Sequence, residues 1–257
     1  MRALATARRV EFIMGTAIVI DIRDSVVDAD ALDAAFDHFR DIDARFSTFK
    51  HDSEISRLAR GELEEPDCSA DVRAVLARCE EARIISDGYF DAWHHRSDDT
   101  LDPSGYVKGW SVEDASQILD AAGTKNYCIN TGGDVFARGD EGPGTPWRIG
   151  IRNPWDARTV AAVVSAHDLA IATSGTYERG QHVINPHTGR PPDGVISMTV
   201  IGPSLASADA WATAAFAMGV RGVDWVARDL DGYEASAITT DRHVITSAGF
   251  ERFMAEP

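Results

Sequence analysis

The hydrophobic period of this chain changes near residue 125. Before that point apolar residues recur at helical spacing. Leu32, Phe36, Phe39, Ile42 and Phe46 are separated by 4, 3, 3 and 4 residues, and Asp28, Asp33, Asp37 and Asp41 fall off that stripe. Val72, Val75, Leu76 and Cys79 open a second helical pattern that stops near Gly88, and residues 108–122 read as a third, closed by Gly123. An apolar run ahead of these, 12–22, reads as a strand. After residue 125 short strands alternate with polar turns, at 126–129, 147–151, 159–165, 170–173 and 197–201. A helix at 208–218 with Ser207 as N-cap, a helix at 223–230 and strands at 235–239 and 243–246 complete the reading. Helices and strands segregate more than they alternate, which favours α+β over a doubly wound parallel sheet. The Gly- and Pro-rich stretch 139–146 is too short to act as a linker between domains, so residues 1–257 are expected to form one domain, and 44% hydrophobic content supplies its core.

The formal net charge is −16. Nucleic-acid binding depends on neutralising phosphates with a basic surplus, so no nucleic-acid partner is expected. Cys68, Cys79 and Cys128 form no CxxC pair and are odd in number, which points to buried reduced thiols instead of a disulfide or zinc framework. Residues 1–10 hold Arg2, Arg8 and Arg9 with no apolar stretch behind them, and no run of 18 apolar residues occurs. A cytoplasmic protein without membrane insertion is the expectation.

Four groups of residues suggest chemistry. Asn130-Thr131-Gly132-Gly133-Asp134 follows a strand; its glycines would let backbone N–H groups approach an anion, or simply make a hairpin turn. In Asp102-Pro103-Ser104-Gly105-Tyr106-Val107-Lys108-Gly109, Lys108 could neutralise phosphate and Gly105 could offer a carbonyl to a metal; the plain alternative is a helix start with Asp102 as cap. Asp209 and Thr213 are four apart, so one helical turn brings a carboxylate and a hydroxyl to one face. Hard oxygens of this kind suit Mg²⁺, although a first-turn dipole partner and a core hydroxyl would look the same. His182 precedes an Asn-Pro turn and could act as a general base; the alternative is a surface histidine. His94, His95 and His187 are weaker candidates, and His187 is expected to face solvent. Ser174 lacks the GxSxG elbow of a serine hydrolase.

In order along the chain, Met14-Gly15-Thr16, Phe46-Ser47-Thr48-Phe49, Ser53-Glu54-Ile55-Ser56, Gly88-Tyr89-Phe90-Asp91, 102–109, 130–134, Thr173-Ser174-Gly175-Thr176-Tyr177, 182–189 and 208–219 resemble the motifs of the ApbE family of FAD:protein FMN transferases. The resemblance implies a T-fold-related α+β architecture with helices packed on mainly antiparallel sheets. It implies Mg²⁺-dependent transfer of FMN from FAD to a Thr or Ser hydroxyl of an acceptor protein, with release of AMP; Mn²⁺ could replace Mg²⁺. Carried over by position, Asp209 and Thr213 would hold the metal by side chain and Gly105 by its carbonyl, with Ala212 adjacent. Met14, Phe49, Phe90, Asp91, Asp102, Lys108, Gly132, Gly133 and Ile184 would form the FAD site, and His182 matches the motif histidine. Asn185 stands where the family usually has Asp, Thr131 where Ala is usual, Ala212 where some members carry Asp, and Phe49 in place of Tyr. With water as nucleophile the same site would be an FAD pyrophosphatase, and without chemistry a flavin-binding protein.

Overall fold

A computed structural model describes residues 3–4, 7–93, 101–176 and 183–255. A short pair, β1 (Ala3–Leu4) with β4 (Val27–Asp28), accompanies the hairpin of β2 (Ala7–Ile13) and β3 (Thr16–Ile22). The apolar run at 12–22, expected as one strand, is therefore the turn and second arm of a hairpin whose register closes at Ile13↔Thr16. Met14 (φ 57°) and Gly15 (φ 71°) are its two loop residues. Positive φ at both is what a type I′ connection requires, and that turn matches the twist of the strands it joins.

α1 (Ala29–Phe46) buries the stripe read from the sequence, and Asp28 caps it by accepting from the N–H groups of Asp30 and Ala31. Phe36, Phe39 and Ile42 have no exposed surface; such burial stabilises by about 1.5–3 kcal/mol per side chain. α2 (Glu54–Ala59), capped by Ser53, is absent from the sequence reading, because six residues are too few to display a helical period. α3 (Ala70–Ile85) follows. α4 (Ser104–Ala121) starts a turn earlier than the apolar pattern suggests, with the Asp102 carboxylate accepting from Ser104 N–H at 3.1 Å.

The second half supplies β5 (Tyr127–Thr131), β6 (Asp134–Arg138), β7 (Trp147–Arg152), β8 (Val160–Ala166), β9 (Leu169–Gly175), β10 (Val195–Gly202), α5 (Leu205–Met218), α6 (Gly222–Asp229), β11 (Glu234–Thr239) and β12 (Val244–Thr246). Among the described residues eight strands form one sheet in the order β12-β11-β10-β9-β6-β5-β3-β2, antiparallel at every neighbouring pair. The α+β expectation holds. One face of the sheet, with Ile18, Ile20, Ile129, Phe136 and Met198, packs under the helices. On the other face Val135, Ala137, Ile171 and Ile201 are covered by the β7–β8 hairpin through Trp147, Ile151 and Val164. Phe136 and its neighbours Val135 and Ala137 thus serve two cores, as strand alternation dictates.

α5 is buried from Leu205 to Ala217 except at Ser207. Its cap is Ser204, whose hydroxyl accepts from Ser207 N–H at 3.2 Å; the expected cap, Ser207, is inside the helix. Small residues let α5 lie against α4 with backbone nearly touching backbone. A Cβ on Gly109 would fall 2.3 Å from the Leu205 carbonyl oxygen, closer than any real contact. No helix among the described residues is long and apolar enough to cross a membrane.

Candidate active site

The close contact of α4 and α5 sets the geometry of one large cleft, about 1700 Å³ in volume. Glu113 of α4 accepts from Leu205 N–H at 2.5 Å and so ties down the start of α5. Burial pushes the Glu113 carboxyl upward in pKa, while the Ser204 hydroxyl and the N–H groups of Leu205 and Ala206 pull it the other way. One turn on, Asp209 and Thr213 project to the same side of α5 and face the first turns of α4. They are 3% and 5% exposed, which makes the carboxylate costly to keep without partners.

Those partners are present. Asp209 Oδ2 accepts from Gly109 N–H at 3.2 Å, and Lys108 Nζ lies 3.7 Å from Asp209 Oδ1. Lys108 Nζ is closer still to Asp134 Oδ2, at 2.5 Å, and the other Asp134 oxygen accepts from Thr173 N–H at 2.9 Å. Thr213 Oγ1 lies 3.3 Å from Ser174 Oγ. Gly105 sits against this group. A Cβ there would be 3.2 Å from Thr213 Oγ1 and 3.3 Å from the Phe90 ring.

The rest of the cleft wall comes from the β2–β3 turn (Met14 to Thr16), residues 47–50 after α1, the Gly132-Gly133 turn, β7 from Arg148 to Arg152, the end of β9 and Ile184. Gly132-Gly133 is the turn of the β5–β6 hairpin, and both glycines also line the cleft. Gly132 has φ +59°, and a Cβ on it would come within 2.6 Å of Thr16 Oγ1.

Of the residues singled out from the sequence, Met14, Phe49, Asp102, Gly105, Lys108, Gly132, Gly133, Ile184, Asp209 and Thr213 meet in this one cleft. Phe49 is 86% exposed at its rim. Phe90 and Ala212 are buried behind the wall, and Asp91 caps a local turn by accepting from Trp93 N–H at 2.8 Å. His182 lies outside the described residues, as do His94 and His95. His187 is exposed as expected, yet it is engaged: its Nε2 is 2.9 Å from the Asp87 carbonyl oxygen and its ring packs on Tyr89. Ser174, Arg148 and Arg152 are cleft residues that the sequence reading does not assign to the site, nor does it assign buried Asp134, which holds Lys108 at the cleft wall. Asp134 ends the Asn130–Asp134 motif, and that motif is the signal for it. The β7 arginines carry no local signal beyond strand alternation.

The arrangement places hard oxygen donors, a lysine and glycine-rich backbone around a space large enough for an extended anionic ligand. A family model, the ApbE family, matches residues 14–96 and 93–237. An FAD:protein FMN transferase of Vibrio cholerae is 36% identical over 163 residues, 60% of this chain and 47% of that protein. One from Escherichia coli is 36% identical over 129 residues, 46% of this chain and 37% of that protein, and one from Haemophilus influenzae is 28% identical over 242 residues, 70% of each. The chain thus spans about half the length of the Vibrio cholerae relative. Among solved structures, the flavin transferase ApbE from Vibrio cholerae superposes with a TM-score of 0.83 at 24% identity, over 98% of this chain and 100% of that one. The ApbE protein of Thermotoga maritima gives 0.82 at 21%, over 98% and 100%. These likenesses establish the shared fold. The family match runs through every cleft residue from Met14 to Thr213, and on that ground the chain belongs to the ApbE family.

Proposed function

We propose that this protein transfers FMN from FAD to a Thr or Ser hydroxyl of an acceptor protein, using a divalent cation, and releases AMP. The observation that carries the reading is the buried pair Asp209–Thr213 facing Gly105 and Lys108 at the wall of a cleft of about 1700 Å³. The names of the relatives support it.

The donor set fits Mg²⁺. Among the described residues no group of three His, Cys, Asp or Glu could form a closed metal cage. Mg²⁺ does not need one, because it keeps several waters and leans on one or two carboxylates plus substrate phosphates. Asp209 would supply its carboxylate, Thr213 its hydroxyl and Gly105 its carbonyl. The ordinary helical partner of that carbonyl is Gly109 N–H, which is drawn to Asp209 Oδ2. Mn²⁺ takes the same donors. Bound there, the ion would neutralise charge on the phosphates.

The chain's own groups account for the rest. Lys108, held between Asp134 and Asp209, places a positive charge at the cleft wall. The Gly132-Gly133 turn allows backbone to approach the pyrophosphate without a Cβ. The acceptor hydroxyl oxygen bonds to the FMN-side phosphorus, and its proton passes to His182. The bond from that phosphorus to the bridging oxygen breaks, and that oxygen leaves with AMP. Positioning and charge stabilisation provide most of such a rate.

The test is incubation with FAD, Mg²⁺ and a peptide carrying a Thr or Ser acceptor, read by mass spectrometry. AMP together with a flavin-labelled peptide is the expected result. FMN and AMP with no labelled peptide would make the protein an FAD pyrophosphatase. Retained FAD with no AMP would make it a flavin-binding protein.

A further inference from the structure

Two ring contacts outside the cleft tie together segments that flank its wall and are distant in sequence. After α3 the backbone turns through Asp87 (φ 53°) and Gly88 (φ 79°). The next two side chains point to different tasks. Phe90 is buried and lies against Gly105, beside Thr213. Tyr89 packs on His187, ring centroids 4.5 Å apart and planes at 58°. His187 Nε2 also meets the Asp87 carbonyl oxygen at 2.9 Å, which requires a proton on that nitrogen. Tyr89 is also held by Arg221, whose guanidinium lies 5.3 Å from the ring centroid and donates to the hydroxyl.

His187 sits at the tip of a small closed turn. Asn185 N–H donates to the Arg190 carbonyl at 2.8 Å, Gly189 N–H to the Asn185 carbonyl at 2.9 Å, and His187 N–H to Asn185 Oδ1 at 3.0 Å. Ile184, the residue before that turn, lines the cleft. The turn is rigid in itself but exposed from Pro186 to Arg190, so internal bonds alone do not fix its place on the body. The described contacts that do so at its tip are those of His187.

We propose that His187 and Tyr89 are positioning residues, which dock the 185–190 turn on the Asp87–Tyr89 segment so that Ile184 stays in the cleft wall. The proposal rests on the FAD reading for its effect on substrate, but not for the docking itself. Undocking lowers the fraction of molecules with a complete cleft, and apparent affinity falls by that fraction. Saturating FAD restores the docked state, so turnover at saturation is largely spared.

His187→Ala should raise the KM and Kd for FAD by roughly three- to thirtyfold, as expected for losing one hydrogen bond and one aromatic contact, with kcat within about threefold. His187→Phe, which keeps the ring, should recover some of that loss. Tyr89→Ala, which leaves the hydrogen bond from His187 to the Asp87 carbonyl, should show a smaller loss, and the double variant should be no worse than His187→Ala, because the shared ring contact is already gone in it. Conformational exchange at the Asn185 and Gly189 amides of the FAD-free protein, measured by 15N relaxation dispersion, supplies the second readout: movement of the whole turn in His187→Ala should raise it, and His187→Phe should lower it again. Wild-type FAD affinity and exchange in His187→Ala would overturn the proposal, as would a fall in kcat with KM unchanged, or additive losses in the double variant. If the wild type bound no FAD, the transfer reading would fail while the exchange comparison would still decide the docking.

Discussion

Asp209→Asn isolates the charge of the proposed metal carboxylate from its shape. Asn keeps an oxygen able to accept from Gly109 N–H, now 3.2 Å from Asp209 Oδ2, so the α4–α5 contact survives. What changes is the charge of the Lys108, Asp134 and Asp209 group, from a formal −1 to 0. Lys108 is nearer to Asp134, at 2.5 Å, than to Asp209, at 3.7 Å, so it stays paired in the variant. The lost Lys108–Asp209 attraction is about 4.5 kcal/mol at an effective dielectric of 20. Relief of carboxylate desolvation, several kcal/mol for a buried ion, offsets most of it. The net change in stability should stay within about 2 kcal/mol, a Tm shift of no more than roughly 4–8 °C for a chain of this size. Cation binding has no such offset. Loss of a partner one shell away from a metal costs about 10–100-fold in affinity, so loss of a direct carboxylate should raise the half-saturating Mg²⁺ concentration by at least about 100-fold. Initial rates of AMP release across a Mg²⁺ series, with calorimetric Mg²⁺ titration beside them, measure this. A folded variant whose half-saturation stays within about threefold of wild type would place the cation elsewhere and refute the reasoning.

His182→Ala should lower flavin transfer by about 10²–10⁴-fold with FAD affinity nearly intact, and wild-type activity should fall as pH drops below about 6.5, where an unperturbed imidazole protonates; single-turnover rates and a pH profile decide, and a normal rate would remove His182 from proton transfer. Gly109→Ala should force α4 and α5 apart, since its Cβ would fall 2.3 Å from the Leu205 carbonyl oxygen; a loss of about 3 kcal/mol, or roughly 6–12 °C in Tm, is expected, and an unchanged melting curve would contradict the packing. The native protein should resist thiol labelling at pH 8. Burial pushes the Cys128 thiol up to about 12 and raises Cys79 and Cys68 as well; Cys128 would then be thiolate in only about one molecule in 10⁴. Equal labelling with and without denaturant would contradict the burial of Cys68 and Cys79 and the partial burial of Cys128.

Residues that share a local face were legible without the structure. The stripe from Leu32 to Phe46, the Asp209–Thr213 pair one turn apart and the Gly132-Gly133 turn each depend on helix or hairpin geometry that short-range periodicity reveals. The ordered motifs carried the family. Tertiary structure alone decided which of those pieces meet. Lys108 reaches Asp134 and Asp209 across 26 and 101 residues of chain, and Ser174 reaches Thr213 across 39. The strand order sets β9 and β10 between β6 and β11. No period encodes these neighbours, because they follow from burying one face of the sheet under α4 and α5 and the other under β7–β8. Phe90 shows the limit most plainly. Its motif marked it for the flavin site, yet packing turned it behind Gly105, where an aromatic ring backs the wall of the cleft without lining it. Local geometry repeats every two or 3.6 residues and so is written in short stretches, whereas burial is settled by the whole chain at once.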